Sequence, residues 1–158
     1  MYSDSFKKAV ENTLNFEGGY VWNPKDPGGE TNFGISKRAY PKLDIKNLTK
    51  DQAIAIYHRD YWQKIYGDSM PAALAFNVFD FAVNAGVGTA IKTLQKALFL
   101  SPDGVIGKGT LGAMQTASKS NLQNFASLRA QYYFSLKTFS TFGKGWINRT
   151  IGTLVKSL

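Results

Sequence analysis

Pro71-Ala-Ala-Leu-Ala-Phe-Asn-Val-Phe-Asp-Phe-Ala-Val-Asn-Ala-Gly86 is the stretch that decides the fold. Proline suits the first turn of a helix, where its missing N–H costs nothing, and glycine stops the helix at the other end. Between them Leu74, Phe76, Val78, Phe79, Phe81, Ala82 and Val83 wrap every side. A helix that is apolar all round belongs in the centre, covered by others. Its polar residues Asn77, Asp80 and Asn84 must then find partners or line a cleft. Asp80 reads as a structural hydrogen-bonding residue, and Asn84, one turn on, as a residue that can face a cleft.

Helical patterns continue on both sides. Ser3 or Ser5 can cap a first helix with Phe6, Val10 and Leu14 on one face, stopped by Gly18 and Gly19. Thr49 with Gln52 forms a capping box for a helix expected to reach about Tyr66. After Gly86 and Gly88, Thr89 to Leu100 places Ile91, Leu94 and Leu98 together. A short helix over Thr110 to Thr116 follows the Pro102-Asp-Gly turn. Leu122, Phe125, Leu128, Tyr132 and Leu136 mark a longer helix, and Trp146, Ile147, Ile151, Leu154 and Val155 a last one. Residues 20 to 36 differ, with two short strands around the turn-rich Asn23-Pro-Lys-Asp-Pro-Gly-Gly. The fold class is therefore mainly α with a small β-ribbon near the N-terminus.

Composition narrows the chemistry. The 158 residues include eleven Phe, eight Tyr and three Trp, enough apolar surface for one well-packed domain. There is no cysteine and one histidine, His58, so disulfides, Cys/His zinc sites and cysteine nucleophiles are excluded. His58 lies in a helical pattern without a nucleophile elbow and reads as a packing or surface residue. Gly104 to Thr110 approaches a phosphate loop, but Gly109 separates Lys108 from Thr110 and breaks the spacing. No apolar run is long enough to span a bilayer. The first residues lack the apolar stretch of a secretory signal, which leads us to expect synthesis in the cytoplasm and a separate export route. Charge is uneven: residues 1–80 balance ten Lys/Arg against ten Asp/Glu, whereas residues 81–158 hold nine against Asp103 alone. Such a basic half suits a polyanionic partner, a nucleic acid, an anionic membrane surface or an anionic wall polymer, and its scattered charges argue against a dedicated nucleic-acid arm.

Carboxylates are left to do the chemistry. Glu17 lies eleven residues after Phe6, about 20° from the same helix azimuth, at the inner end of an apolar stripe. Partial desolvation there raises a carboxyl's pKa toward the range of a general acid. A glutamate at a helix C-terminus also opposes the helix dipole, so the position is locally disfavoured. Asp26, Glu30, Thr31 and Asn32 follow in the turn and second strand, where they could face Glu17 across a groove. Two carboxylates flanking a sugar linkage is the layout of a glycosidase. Asp26 before proline can equally close an Asx turn, and Glu30 can sit on an exposed strand.

Phe16-Glu-Gly-Gly-Tyr20, followed by Asp26-Pro-Gly-Gly-Glu-Thr-Asn-Phe-Gly-Ile35, closely resembles glycoside hydrolase family 108, the N-acetylmuramidase endolysins of phages and prophages. The likeness continues through Tyr61-Trp62 and Asp80-Phe-Ala-Val-Asn-Ala-Gly86. Leu94-Gln95, Asp103-Gly104 and Gly107 resemble the peptidoglycan-binding segment usually joined to that family. The resemblance implies a lysozyme-like fold in a single domain, 1–158, with residues 1–90 as catalytic half and 91–158 as a peptidoglycan-binding-like helical half packed on it. It implies hydrolysis of the β-1,4 bond between N-acetylmuramic acid and N-acetylglucosamine, with Glu17 as catalytic acid, Asp26 as its partner and Thr31 assisting. Eight residues separate Glu17 from Asp26, as in phage-type lysozymes, but Thr31 follows after four instead of five, which leaves the third role between Thr31 and Asn32. Glu30 could replace Asp26. Tyr20, Glu30, Asn32, Phe33, Tyr61 and Asn84 are the candidate substrate contacts. No metal and no cofactor are implied. The expected partner is the glycan strand of peptidoglycan, without nucleic acid or stable membrane insertion, with a holin or other export system carrying a monomer to the periplasm and wall. A lytic transglycosylase and a non-catalytic peptidoglycan-binding protein are the alternatives.

Overall fold

In the computed structural model, which describes residues 1–24 and 29–158, the Ser3 hydroxyl accepts from the Phe6 N–H and opens α1, Asp4–Phe16. Glu17 caps its other end with extended backbone, φ −85° and ψ 128°. A three-stranded antiparallel sheet follows, ordered β1 (Val21–Trp22), β2 (Glu30–Asn32), β3 (Ile35–Ser36). The second strand expected across Thr31–Ile35 is instead split by a turn. Phe33 (φ 51°) and Gly34 (φ 77°) both take left-handed backbone and reverse the chain in two residues, which matches the twist of the flanking strands. A phenylalanine is no ordinary signal for such a turn.

Thr49 and Gln52 form the reciprocal capping box that opens α2, Lys50–Tyr57. The expected helix to Tyr66 does not run through. It widens into a π-turn over His58–Trp62, where the Gln63 N–H donates to the His58 carbonyl at 2.9 Å. His58 packs between the rings of Tyr2 and Phe6, as a packing histidine should. A 3₁₀ turn, Gly67–Ser69, leads to α3, Ala72–Ala85. Gly86 (φ 94°) ends α3 and starts α4, Val87–Ala97, without a loop. Helices α5 (Lys108–Gln115), α6 (Lys119–Phe134) and α7 (Phe139–Ser157) complete the chain.

The centre is α3. Leu74, Ala75, Val78, Phe79, Phe81 and Ala82 are buried, and α1, α4, α6 and α7 all pack on it. One continuous core takes in residues from both halves of the chain. Two faces differ from the sequence expectation. On α6 the buried residues are Leu122, Phe125, Arg129 and Tyr133, one position on from the anticipated Leu128 and Tyr132, which are half-buried. On α7 the buried residues are Gly143, Thr150 and Thr153, while Ile151 and Val155 are exposed. The reason for both shifts is the same: α6 and α7 turn cations and hydroxyls inward to meet Asp80.

Candidate active site

Asp80 is 1% exposed, in the middle of α3. Its carboxylate accepts from the Arg129 guanidinium at 2.7 Å, from Arg149 Nε at 3.1 Å and from the Thr153 hydroxyl at 3.3 Å. A buried charge requires such saturation. Arg129 is itself sandwiched near the Phe81 and Tyr133 rings. The structural role expected of Asp80 is thus the one the fold displays. Asn84 is exposed and accepts from the Tyr133 hydroxyl.

Arg149 extends this network outward. Its Nη1 donates to Glu17 Oε1 at 3.1 Å, so one guanidinium on α7 joins the carboxylate of α3 to the cap of α1. Burial opposes the Arg149 charge, but the Asp80 and Glu17 carboxylates outweigh it and hold the guanidinium above its ordinary pKa. Cation, ring and acid meet here, because Arg149 and Lys156 also lie against the Phe16 ring. The basic half of the chain is therefore not simply an outward-facing charge. Two of its nine cations, Arg129 and Arg149, face inward and neutralise Asp80 and Glu17.

The β-ribbon closes the other side of Glu17. A Cβ on Gly34 would come within 2.8 Å of Glu17 Oε2 and 2.6 Å of the Tyr57 hydroxyl. Only glycine fits, both for that space and for its left-handed backbone. The Tyr57 hydroxyl donates to the Phe33 carbonyl at 2.8 Å and ties the turn down onto α2. Burial, and then the nearby Glu17 charge, push the Tyr57 hydroxyl well above the usual phenol range, so it stays a neutral donor. The Tyr61 ring lies tilted beside that of Tyr57, centroids 5.6 Å apart, and its hydroxyl pKa is likewise raised, chiefly by burial. The Glu17 side chain remains 23% exposed.

The other candidates are distributed as follows. Val21 pairs with Thr31 and Thr31 with Ser36, while Trp22 pairs with Glu30. Neighbours on a strand point to opposite faces, so Thr31 and Glu30 do as well. Tyr20 donates to Glu30 at 3.1 Å, pairing two candidate substrate contacts with each other. Asn32 is turned inward, only 6% exposed, and its amide donates to the carbonyls of Ile45 and Leu48. It anchors the loop before α2, and in this geometry its amide is committed to that loop. Phe33 contributes its carbonyl to Tyr57 and packs its ring on the core. Asp26 lies outside the described residues. Tyr57, Gly34, Arg149 and Arg129 were missed by sequence reasoning. The one available signal for the arginines was Asp80 itself, an acid in an apolar helix that had to have buried cations somewhere.

A solvent-reaching carboxylate, fixed by an arginine and walled by a ribbon on a helical frame, supplies the parts of an acid-catalysed hydrolase. The model of the glycosyl hydrolase 108 family matches residues 10–86, which span Glu17, the ribbon, Tyr57 and Asp80. The solved structure of Brucella abortus SagA is similar along nearly the whole chain: 39% identity, a TM-score of 0.86, and coverage of 97% of this chain and 93% of that one. No curated protein matches. The chain belongs to the glycosyl hydrolase 108 family. It is a glycoside hydrolase directed at peptidoglycan, with a mainly α, lysozyme-like fold.

Proposed function

We propose that the protein is an N-acetylmuramidase, cleaving the β-1,4 bond between N-acetylmuramic acid and N-acetylglucosamine with Glu17 as proton donor. The observation that carries this reading is the asymmetric hold on the Glu17 carboxylate. Arg149 engages Oε1, whereas Oε2 lies beside Gly34. Oε2 is then the oxygen that carries the proton to the departing glycosidic oxygen. Arg149 and Tyr57 remain protonated throughout and serve to orient the acid and the turn. Positioned proton transfer of this kind contributes about 10²–10⁴ in rate. Asp26, with Thr31, takes the second role of holding water or stabilising the oxocarbenium-like transition state.

In this reading the enzyme is endolysin-like: made in the cytoplasm as a monomer, exported by a holin or other system, and active on the wall. Residues 91–158 help to hold the wall while supplying Arg149 to the site. Mass spectrometry of digested peptidoglycan tests it. A muramidase leaves reducing N-acetylmuramic acid ends. Anhydro-muramic ends would make the protein a lytic transglycosylase, which also works with one glutamate, and intact glycan would leave it a binding protein.

A further inference from the structure

The π-turn over His58–Trp62 comes at a cost to the fold. It seats Trp62 in the core at 1% exposure, against Phe6 and Phe79, yet leaves the indole N–H without a hydrogen-bond partner among the described residues. Such widened turns are rare and recur at functional sites. This one brings Tyr61 to the Glu17 site: its ring lies beside Tyr57, and the Glu17 charge is felt at its hydroxyl. Directly before it in the same turn stands Asp60, paired with Arg59.

Proton counting fixes the direction of the hydrogen bonds in this tyrosine cluster. Each phenol has one proton to give and lone pairs that accept. Tyr57 gives its proton to the Phe33 carbonyl at 2.8 Å. Tyr40 gives its own to Asp60 Oδ2, also at 2.8 Å. Asp60 can only accept, because both its oxygens take the Arg59 guanidinium at 2.6 Å, and those bonds hold the carboxyl below its ordinary pKa. Burial, and then the bond to Asp60, raise the Tyr40 hydroxyl well above the usual phenol range, so it keeps that proton. The Tyr40 oxygen also lies within hydrogen-bonding reach of the Tyr61 hydroxyl. A carboxylate is the stronger acceptor, so the single Tyr40 proton stays on Asp60 and Tyr40 offers Tyr61 only a lone pair. Tyr61 is then the donor in that contact. Its proton points away from the sugar, and its lone pairs are left to accept on the half-open side of the ring.

We propose that Asp60 and Tyr40 are positioning residues that set the polarity of the Tyr61 hydroxyl, making Tyr61 an acceptor for a hydroxyl or acetamido N–H of the bound sugar. This rests on the glycan reading of the Glu17 site. The test is a double-mutant cycle in the Glu17→Gln chain, which cannot degrade its ligand, read as the Kd for purified glycan strands. Tyr61→Phe should weaken the Kd about threefold to tenfold, the worth of one hydrogen bond. Tyr40→Phe should cost nearly as much, and the two together no more than Tyr61→Phe alone, because Tyr40 acts through the Tyr61 hydroxyl. Asp60→Asn changes the polarity without removing packing. Its carbonyl is drawn to Arg59, so its amide N–H faces Tyr40 and drives the Tyr40 proton toward Tyr61. It should weaken binding in the same direction and lose its effect once residue 61 is Phe. A Tyr40 that merely packs would shift the Tyr61 ring instead, and its cost would persist in the Tyr61→Phe chain. Losses that add, or an unchanged Kd in Tyr40→Phe and Asp60→Asn, would overturn the proposal. Failure of the muramidase reading shows separately, in the ends of the digest products.

Discussion

Arg149 touches a carboxylate at each end, Asp80 at 1% exposure and Glu17 at 23%. At the inner end, Asp80 is saturated by two guanidiniums and a hydroxyl. At the outer end, Glu17 has one charged partner among the described residues, on Oε1, and a glycine beside the other oxygen. The same ion-pair chemistry fixes a saturated structural group at the inner end, and at the outer end holds a partly exposed carboxylate by one oxygen among the described residues. The inner end is the structural one and the outer end is the one proposed for catalysis, and each can be broken separately.

Asp80→Ala attacks the inner end and has the largest expected effect on folding. It strands Arg129 in the core, and removing one partner of a buried pair costs about 3–5 kcal/mol, a large share of a domain's stability. Chemical denaturation measures it; a loss under about 1 kcal/mol would mean that Arg129 finds other partners. Gly34→Ala attacks the outer end. Left-handed alanine costs about 1–2 kcal/mol, and the added methyl must displace the Glu17 carboxylate or the Tyr57 hydroxyl. Because a displacement near 1 Å can reduce turnover about 10²-fold, activity should fall much further than stability. An active, stable Gly34→Ala would remove the ribbon turn from the site.

A smaller effect concerns pH. Tyr40, Tyr57 and Tyr61 all have folded-state pKa values raised, in each case chiefly by burial. The unfolded chain then releases these protons near pH 10 while the folded chain keeps them. Stability contributed by the protonated phenols is full below that pH and is lost as pH rises above it. Tyr57→Phe should flatten this alkaline decline in denaturation experiments. An unchanged slope would show that Tyr57 is not buried against Glu17 as described.

Much of this architecture can be read from local sequence. The all-round apolar pattern from Leu74 to Val83 announces the central helix, Thr49 and Gln52 announce the start of α2, and the stripe from Phe6 leads to Glu17. What resists such reading is non-local. Glu17 and Arg149 are 132 residues apart, and Asp80 and Arg149 are 69 apart, so no periodicity links them. Periodicity also favoured Leu128 over Arg129 as the inward residue of α6, because an apolar residue is the default occupant of a core face. The split of the second strand was hidden because Phe33 takes a backbone conformation usually left to glycine or asparagine. The departures cluster around the site, where local preference yields to chemistry.

The central claim of the proposed mechanism is that the Glu17 carboxyl supplies the proton, over and above its ion pair with Arg149. Its direct test is the wall-lytic rate of Glu17→Gln, measured beside its melting temperature. The glutamine keeps the shape and can still accept from Arg149 but cannot supply the proton. The account predicts a melting temperature close to wild type and a rate lower by at least about 10²–10⁴-fold. A rate within about tenfold of wild type, from a chain that is equally folded, would contradict it.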